Sequence, residues 1–98
     1  VIIQEGVIIG VETIEGTDGL IERCGELQIE KKGSILVKVK KPGQDKRVDL
    51  PTIGTQTIIK AHENNLAGIA VEAGSALILD KEEVINMVDK YELFLVGV

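Results

Sequence analysis

The sequence contains very few aromatic residues. Tyr91 and Phe94 are its only Phe, Tyr or Trp side chains, whereas proteins that bind single-stranded nucleic acid stack bases on several such rings. The formal net charge of −5 also disfavours general binding to a phosphate backbone. We therefore expect no nucleic-acid partner.

Cysteine and long apolar segments are scarce as well. Cys24 is the only cysteine, so an internal disulfide is excluded and a reducing compartment is favoured. No apolar stretch approaches the ~20 residues that a membrane-spanning helix requires, and no signal-peptide pattern is present. These absences predict a cytoplasmic protein.

The residues that are present are typical of one small domain. A chain of 98 residues can form a single hydrophobic core, and its many Ile and Val residues favour a β-sheet over a helix bundle. The chain begins at Val1, inside an apolar run, whereas a complete natural protein normally starts with methionine. We interpret residues 1–98 as one domain, the C-terminal part of a longer protein.

The hydrophobic pattern predicts an α/β domain with the element order ββαβαββαβ. Apolar runs bounded by turn residues predict six strands, Val1–Ile3, Val7–Glu12, Ile35–Lys40, Leu66–Glu72, Ala76–Leu79 and Leu93–Val98. Helical spacing predicts three helices, near Thr17–Cys24, Thr55–Asn64 and Lys81–Tyr91. This alternation favours a mixed, partly parallel sheet with about three packed helices. The strand Leu66–Glu72 is apolar almost throughout, so we expect both of its faces to be covered.

Three local signals mark where the helices start. Thr17 is a good N-cap, and Asp18 would then lie in the first turn, where the helix dipole favours an anion. Asp80 and Glu83 have the spacing of a capping box. The segment Thr52–Thr55, after Pro51, predicts the entry to the second helix.

The segment 38–51 concentrates charge in an otherwise acidic chain. Its basic residues Lys40, Lys41, Lys46 and Arg47 could hold phosphate. Asp45 and Asp49 could ligate Mg²⁺, which commonly takes one or two protein carboxylates and keeps water and phosphate as its other ligands. Alternatively, the segment is a solvated loop whose charges pair with one another at little gain in stability. Composition alone leaves both interpretations open.

The other candidate residues give weaker signals. The segment Glu15–Gly19 could bind an anion at the start of a helix, but its own carboxylates favour a plain N-terminus unless a metal intervenes. Glu72 follows a buried strand, and ligand sites of α/β proteins collect at such strand ends. Cys24 is expected in the core, and His62 is expected on the surface.

Four motifs occur together in a fixed order. They are Glu12-Thr13-Ile14-Glu15-Gly16-Thr17-Asp18, Val37-Lys38-Val39-Lys40-Lys41-Pro42-Gly43-Gln44-Asp45, Asp49-Leu50-Pro51-Thr52-Ile53-Gly54 and Gly68-Ile69-Ala70-Val71-Glu72-Ala73-Gly74. With them, essentially the whole chain resembles the C-terminal domain of the I-type UDP-2,3-diacylglucosamine pyrophosphatases of lipid A biosynthesis. The resemblance implies Mg²⁺- or Mn²⁺-dependent hydrolysis of UDP-2,3-diacylglucosamine to UMP and 2,3-diacylglucosamine 1-phosphate (lipid X). It also implies an N-terminal domain elsewhere in the protein, a lipid substrate held between the two domains, and peripheral contact with the inner membrane.

The resemblance also assigns roles to individual residues. It makes Asp45 and Asp18 the leading catalytic and metal-binding candidates, with Asp49 as a further metal ligand. The substrate- or phosphate-binding candidates are Lys40, Arg47, Glu72 and Thr17. The sequence does not decide which aspartate binds metal and which orients water. A module that binds a phosphorylated ligand without turnover, and a dimerisation module that pairs its strands between two chains, stay as alternatives.

Overall fold

The computed structural model describes residues 1–13, 16–27, 33–39, 52–74 and 76–98. Three helices lie in these ranges: α1 (Gly16–Gly25), α2 (Thr55–Glu63) and α3 (Lys81–Lys90). The strands described are β1 (Ile2–Gln4), β2 (Val7–Gly10), β3 (Ser34–Lys38), β4 (Thr52–Ile53), β5 (Leu66–Val71), β6 (Leu77–Ile78) and β7 (Phe94–Gly97). The predicted α/β class is confirmed, and the short strand β4 is an addition to the predicted order.

Five strands form the main sheet, in the order β2-β1-β3-β5-β7. Strand β1 pairs antiparallel with both β2 and β3, whereas β3, β5 and β7 are mutually parallel. The predicted mixed, partly parallel sheet is therefore confirmed, with β5 in its interior. Strands β4 and β6 pair separately in a parallel two-stranded sheet. The predicted strand Ala76–Leu79 thus exists as β6 but lies outside the main sheet.

One face of the main sheet carries the helices and the core. Ile2, Leu36 and Ile69 lie in one row across neighbouring strands and are fully buried. They belong to a single cluster with apolar residues from all three helices, including Leu20, Ile58 and Val84. Burying such side chains is worth about 1.5–3 kcal/mol each before the entropy cost of folding.

The opposite face of the sheet is apolar too, but none of the three described helices covers it. Ile35 pairs with Gly68, and Gly68 pairs with Phe94. A Cβ at Gly68 would overlap the Phe94 ring, so this ring shields the centre of β5 even though Phe94 itself is 40% exposed. The expected burial of β5 is therefore confirmed, since all of its residues except Ala67 are buried, and Phe94 covers part of the face on which no described helix lies.

Helices α1 and α2 lie side by side and run in the same direction. Asp18 contacts Thr57 near their starts, and Glu22 forms an ion pair with Lys60 one turn later. At their ends, a Cβ at Gly25 would overlap the Asn64 amide. Because α2 leads into the start of β5, the N-termini of α1 and α2 both point to the edge of the sheet where β5 ends.

Two predicted details of the helix starts are wrong, and a third is confirmed. Helix α1 already begins at Gly16, whose φ of +81° suits glycine, and the Thr17 hydroxyl donates to Glu12 Oε1 at 3.2 Å instead of capping the helix. Asp80 adopts a left-handed conformation and makes no side-chain cap bond, so no capping box forms. The segment Thr52–Thr55 does lead into α2, which begins at Thr55 with Gly54 as its N-cap, and Thr52 and Ile53 in addition pair with β6 as strand β4.

The contact between β2 and α1 yields a stability prediction. A Cβ at Gly10 would overlap Cys24 Sγ and lie 2.9 Å from Leu20 Cδ1, and both side chains are fully buried. We expect Gly10→Ala to lower the free energy of unfolding by about 1–3 kcal/mol, the usual cost of overpacking a core. Urea denaturation measures the change. Adding Cys24→Ala should recover part of the loss, and strictly additive effects of the two substitutions would contradict the assigned contact.

Candidate functional site

The carboxyl ends of four strands meet at one edge of the main sheet. Strands β3, β5 and β7 are parallel, and β2 has the same direction because β1 is antiparallel to both β2 and β3. The N-termini of α1 and α2 lie at this edge as well. Ligand sites of α/β sheets lie outside the carboxyl ends of the strands, and helix N-termini favour anions there. We name this region the carboxyl edge.

Asp18 is held at the carboxyl edge by a neighbouring helix. The Thr57 hydroxyl donates a hydrogen bond to Asp18 Oδ1 at 3.3 Å. Thr57 lies in the first turn of α2 and is only 7% exposed, whereas Asp18 is half-buried in the first turn of α1. The two residues are separated by 39 positions in the sequence, so tertiary structure and not the local chain sets the position of the Asp18 carboxylate.

Glu12 and Thr17 lie on the same side of the edge. The bond from Thr17 Oγ1 to Glu12 Oε1 joins the start of α1 to the residues that follow β2. Thr17, a predicted phosphate-binding residue, therefore already has a carboxylate as its partner. Arg23 Nη2 also donates to the Val11 carbonyl at 3.0 Å, which ties the same β2–α1 connection to the helix.

Lys38 connects three segments at the centre of the edge. Its Nζ donates to the Thr52 carbonyl at 3.1 Å, and its own carbonyl accepts from the Glu72 amide at 3.1 Å. Lys38 and Thr52 lie on either side of the segment that carries the charged motif, and the bond between them brings these two residues together at the carboxyl edge. Glu72, a predicted site residue, lies directly beside this point.

Several predicted site residues fall outside the described ranges. They are Lys40, Asp45, Arg47 and Asp49. Of the predicted residues that the structure describes, it brings Asp18, Thr17 and Glu72 to the carboxyl edge. Convergence of Asp45 with them stays a prediction.

Two carboxylates of α1 act on Lys60 of α2. The hydrogen bond and charge of Glu22 raise the pKa of Lys60, and Asp18 adds a smaller contribution in the same direction. The charge of Asp18 therefore reaches the neighbouring helix.

A largely apolar groove of about 600 Å³ begins beside Glu72 and runs between α3 and β7. Ile85 and Val88 line it on the helix side, and the residues of β7 line it on the sheet side. Among the described residues that line the groove, the charged ones are Glu72, Lys81 and Asp89. A ligand with a charged group at the carboxyl edge and an extended apolar chain would find both environments next to each other.

Sequence reasoning did not identify Thr57 as part of this region. Thr57 lies between Gln56 and Ile58 in a helix, and no motif marks it. The available signal was its position on the buried stripe with Ile58 and Ala61, where a hydroxyl needs a partner. Glu12 and Lys38 are marked in the sequence only as members of longer motifs.

The donor atoms of the described residues suit a hard cation only in part. Asp18 and Glu12 offer carboxylate oxygens, the ligand type that Mg²⁺ prefers. Within the described part of the chain, however, no three His, Cys, Asp or Glu side chains lie close enough to hold a metal together. The residues thus fit an ion held by one or two carboxylates and completed by water and phosphate, with Asp45 and Asp49 as further candidates from the sequence.

The chain was compared with known proteins. A family model described as "LpxI C-terminal domain" matches residues 1–96. The UDP-2,3-diacylglucosamine pyrophosphatase LpxI of Caulobacter vibrioides (strain ATCC 19089 / CIP 103742 / CB 15) is 43% identical over 103 residues. That alignment covers 99% of this chain and 37% of the relative, so the chain spans little more than a third of the relative's length. Of the helices in the described ranges, none has the length and apolar character needed to cross a bilayer.

Proposed function

Because this chain belongs to the LpxI C-terminal domain family, we propose that it is the catalytic and substrate-binding domain of a UDP-2,3-diacylglucosamine pyrophosphatase. The proposed reaction is hydrolysis of the substrate's pyrophosphate, giving UMP and 2,3-diacylglucosamine 1-phosphate. The observation that carries this proposal is the carboxyl edge, where a tertiary hydrogen bond holds Asp18 and where Lys38 and Thr52, the residues on either side of the charged segment, are joined by a hydrogen bond.

Each group at the edge has a proposed task. The carboxylates of Asp18 and Asp45 position the attacking water or a metal ion, and the cations of Lys40 and Arg47 bind phosphate oxygens. When bound, Mg²⁺ or Mn²⁺ would neutralise the charge of the pyrophosphate, with Asp49 as an additional ligand. Glu72 contacts the substrate from the end of β5, next to the apolar groove. The apolar lining of that groove favours a substrate that carries acyl chains.

The remaining parts of the proposal concern the protein that contains this domain. We propose that a second domain, preceding the present chain, completes the lipid-binding surface, since the chain corresponds to 37% of its relative. We propose a cytoplasmic enzyme that makes peripheral contact with the inner membrane. The membrane contact is proposed because the substrate and the product both carry acyl chains. The isolated domain should fold yet have almost no turnover.

The test is a turnover assay with the full-length protein. UDP-2,3-diacylglucosamine is the substrate, UDP-glucosamine is the matched compound without acyl chains, and Mg²⁺ is present. We expect UMP to appear with the acylated substrate and almost none with UDP-glucosamine, because only the acylated compound uses the apolar groove.

Three results would contradict the proposal in different ways. Absence of UMP with a folded full-length protein would contradict the pyrophosphatase function. Equal turnover of both compounds would support a pyrophosphatase but would contradict specificity for the acylated substrate. Retention of the acylated substrate on the protein without turnover would favour the binding module over the enzyme.

A further inference from the structure

Thr57 is a buried polar residue at the carboxyl edge, and among the described residues its hydrogen-bond partner is Asp18. Its hydroxyl donates to Asp18 Oδ1 at 3.3 Å, and Thr57 is 7% exposed. Buried hydroxyl groups are normally satisfied, because burial without a hydrogen bond costs about 1–3 kcal/mol. The Asp18 carboxylate is therefore the group that makes a hydroxyl acceptable at this buried position.

The hydrogen bond from Thr57 restricts the rotation of the Asp18 side chain more than helix α1 does. Asp18 lies in the first turn of α1, where an aspartate side chain can rotate among several staggered conformations. Thr57 has a β-branched side chain, which in a helix is limited largely to two χ1 rotamers, and its burial restricts it further. This restricted donor in α2 thus favours the orientation of the Asp18 carboxylate that accepts its hydrogen bond.

The two helices that carry this pair are themselves held in register. The ion pair between Glu22 and Lys60 and the close approach of Gly25 to Asn64 lie further along the same α1–α2 contact. The relative position of Asp18 and Thr57 is therefore set by the whole helix pair and does not depend on one contact.

From this geometry we propose that Thr57 is a positioning residue that orients the Asp18 carboxylate for pyrophosphate hydrolysis. Thr57 touches neither substrate nor water in this role; it acts through Asp18. The inference rests on the proposed function, because it needs a reaction in which Asp18 takes part. It adds a residue of α2 to a site that the sequence motifs place on the segments before and after that helix.

The test compares variants of the full-length protein in the same turnover assay. Thr57→Val keeps the branched shape and removes the hydroxyl, whereas Thr57→Ser keeps the hydroxyl. We expect Thr57→Val to lower kcat about tenfold with KM changed less than about twofold, on the scale of losing an outer partner of a site ligand. Thr57→Ser should retain most of the wild-type kcat.

A double-mutant cycle separates positioning from a structural role. If Thr57 acts through Asp18, then Thr57→Val should cause no further loss of kcat in an Asp18→Ala background. An equal tenfold loss in both backgrounds would overturn the proposal, and so would a wild-type kcat in a folded Thr57→Val protein. If Thr57→Val does not unfold cooperatively, Thr57→Ala takes its place, since it removes the hydroxyl without adding a methyl group.

The same experiment distinguishes this inference from the proposed function. Wild-type protein without turnover contradicts the pyrophosphatase function and, with it, any role of Thr57 in the reaction. Wild-type turnover that is lost with Asp18→Ala but kept with Thr57→Val contradicts only the role of Thr57.

Discussion

Asp18→Asn is expected to lower the kcat of the full-length protein about a hundredfold or more, the scale of losing a group that positions a proton, water or metal in the transition state. The substitution removes the negative charge and keeps the shape of the side chain. Its amide oxygen can still accept the hydrogen bond from Thr57, so the contact between α1 and α2 should persist. Steady-state kinetics with UDP-2,3-diacylglucosamine measures the loss.

The stability of Asp18→Asn should change much less than its activity. An aspartate in the first turn of a helix interacts favourably with the helix dipole, and losing that interaction costs about 0.3–1 kcal/mol. The matched control is Glu22→Gln, which removes a carboxylate one turn further along α1, where Glu22 pairs with Lys60. Glu22→Gln should keep a nearly normal kcat. A similar kcat for Asp18→Asn and the wild type would exclude Asp18 from catalysis and leave Asp45 as the better candidate.

The helices and the parallel strands could be predicted because their signals are local. Val84 and Val88 have helical spacing and are both buried in α3, and the long apolar run of β5 could only be an interior strand. The side of the sheet that the helices occupy is not a local property. It follows from two consecutive crossovers in the same direction, β3–α2–β5 and β5–α3–β7, because right-handed crossovers then place both helices on one face. The apolar run of β5 therefore predicts that both of its faces are covered. It does not indicate that the described helices lie on only one of them.

The candidate site was predictable to the extent that motifs mark it. Asp18 and Glu72 lie in recognisable segments, and strand order brings those segments to one edge. Thr57 illustrates the part that could not be predicted. Its proposed role depends on the side-by-side packing of α1 and α2 in the same direction. No residue near Thr57 in the sequence predicts that packing. Asp80 shows the reverse case, since its capping-box spacing is correct but its backbone is left-handed, a conformation that aspartate tolerates better than most residues.

The charged segment between Lys38 and Thr52 is expected to contain two residues with different effects on catalysis. In the full-length protein, Asp45→Asn should lower kcat about a hundredfold or more and leave substrate affinity nearly unchanged, because it removes a carboxylate that acts on water or metal in the transition state. Arg47→Ala should instead raise KM with a smaller change in kcat, because a guanidinium that clamps phosphate acts in the ground state as well.

Measuring kcat and KM for both variants side by side separates the two roles. The ends of the segment are fixed by the bond from Lys38 Nζ to the Thr52 carbonyl, which neither substitution touches, so both proteins should unfold cooperatively near the wild-type midpoint. Lys46→Ala is the matched control for Arg47→Ala, since it removes the neighbouring positive charge; a smaller rise in KM is expected, because a lysine cannot bind phosphate bidentately. Near-normal turnover of Asp45→Asn would remove Asp45 from the catalytic role. Equal effects of Lys46→Ala and Arg47→Ala would mean that net charge, and not a specific clamp, holds the pyrophosphate.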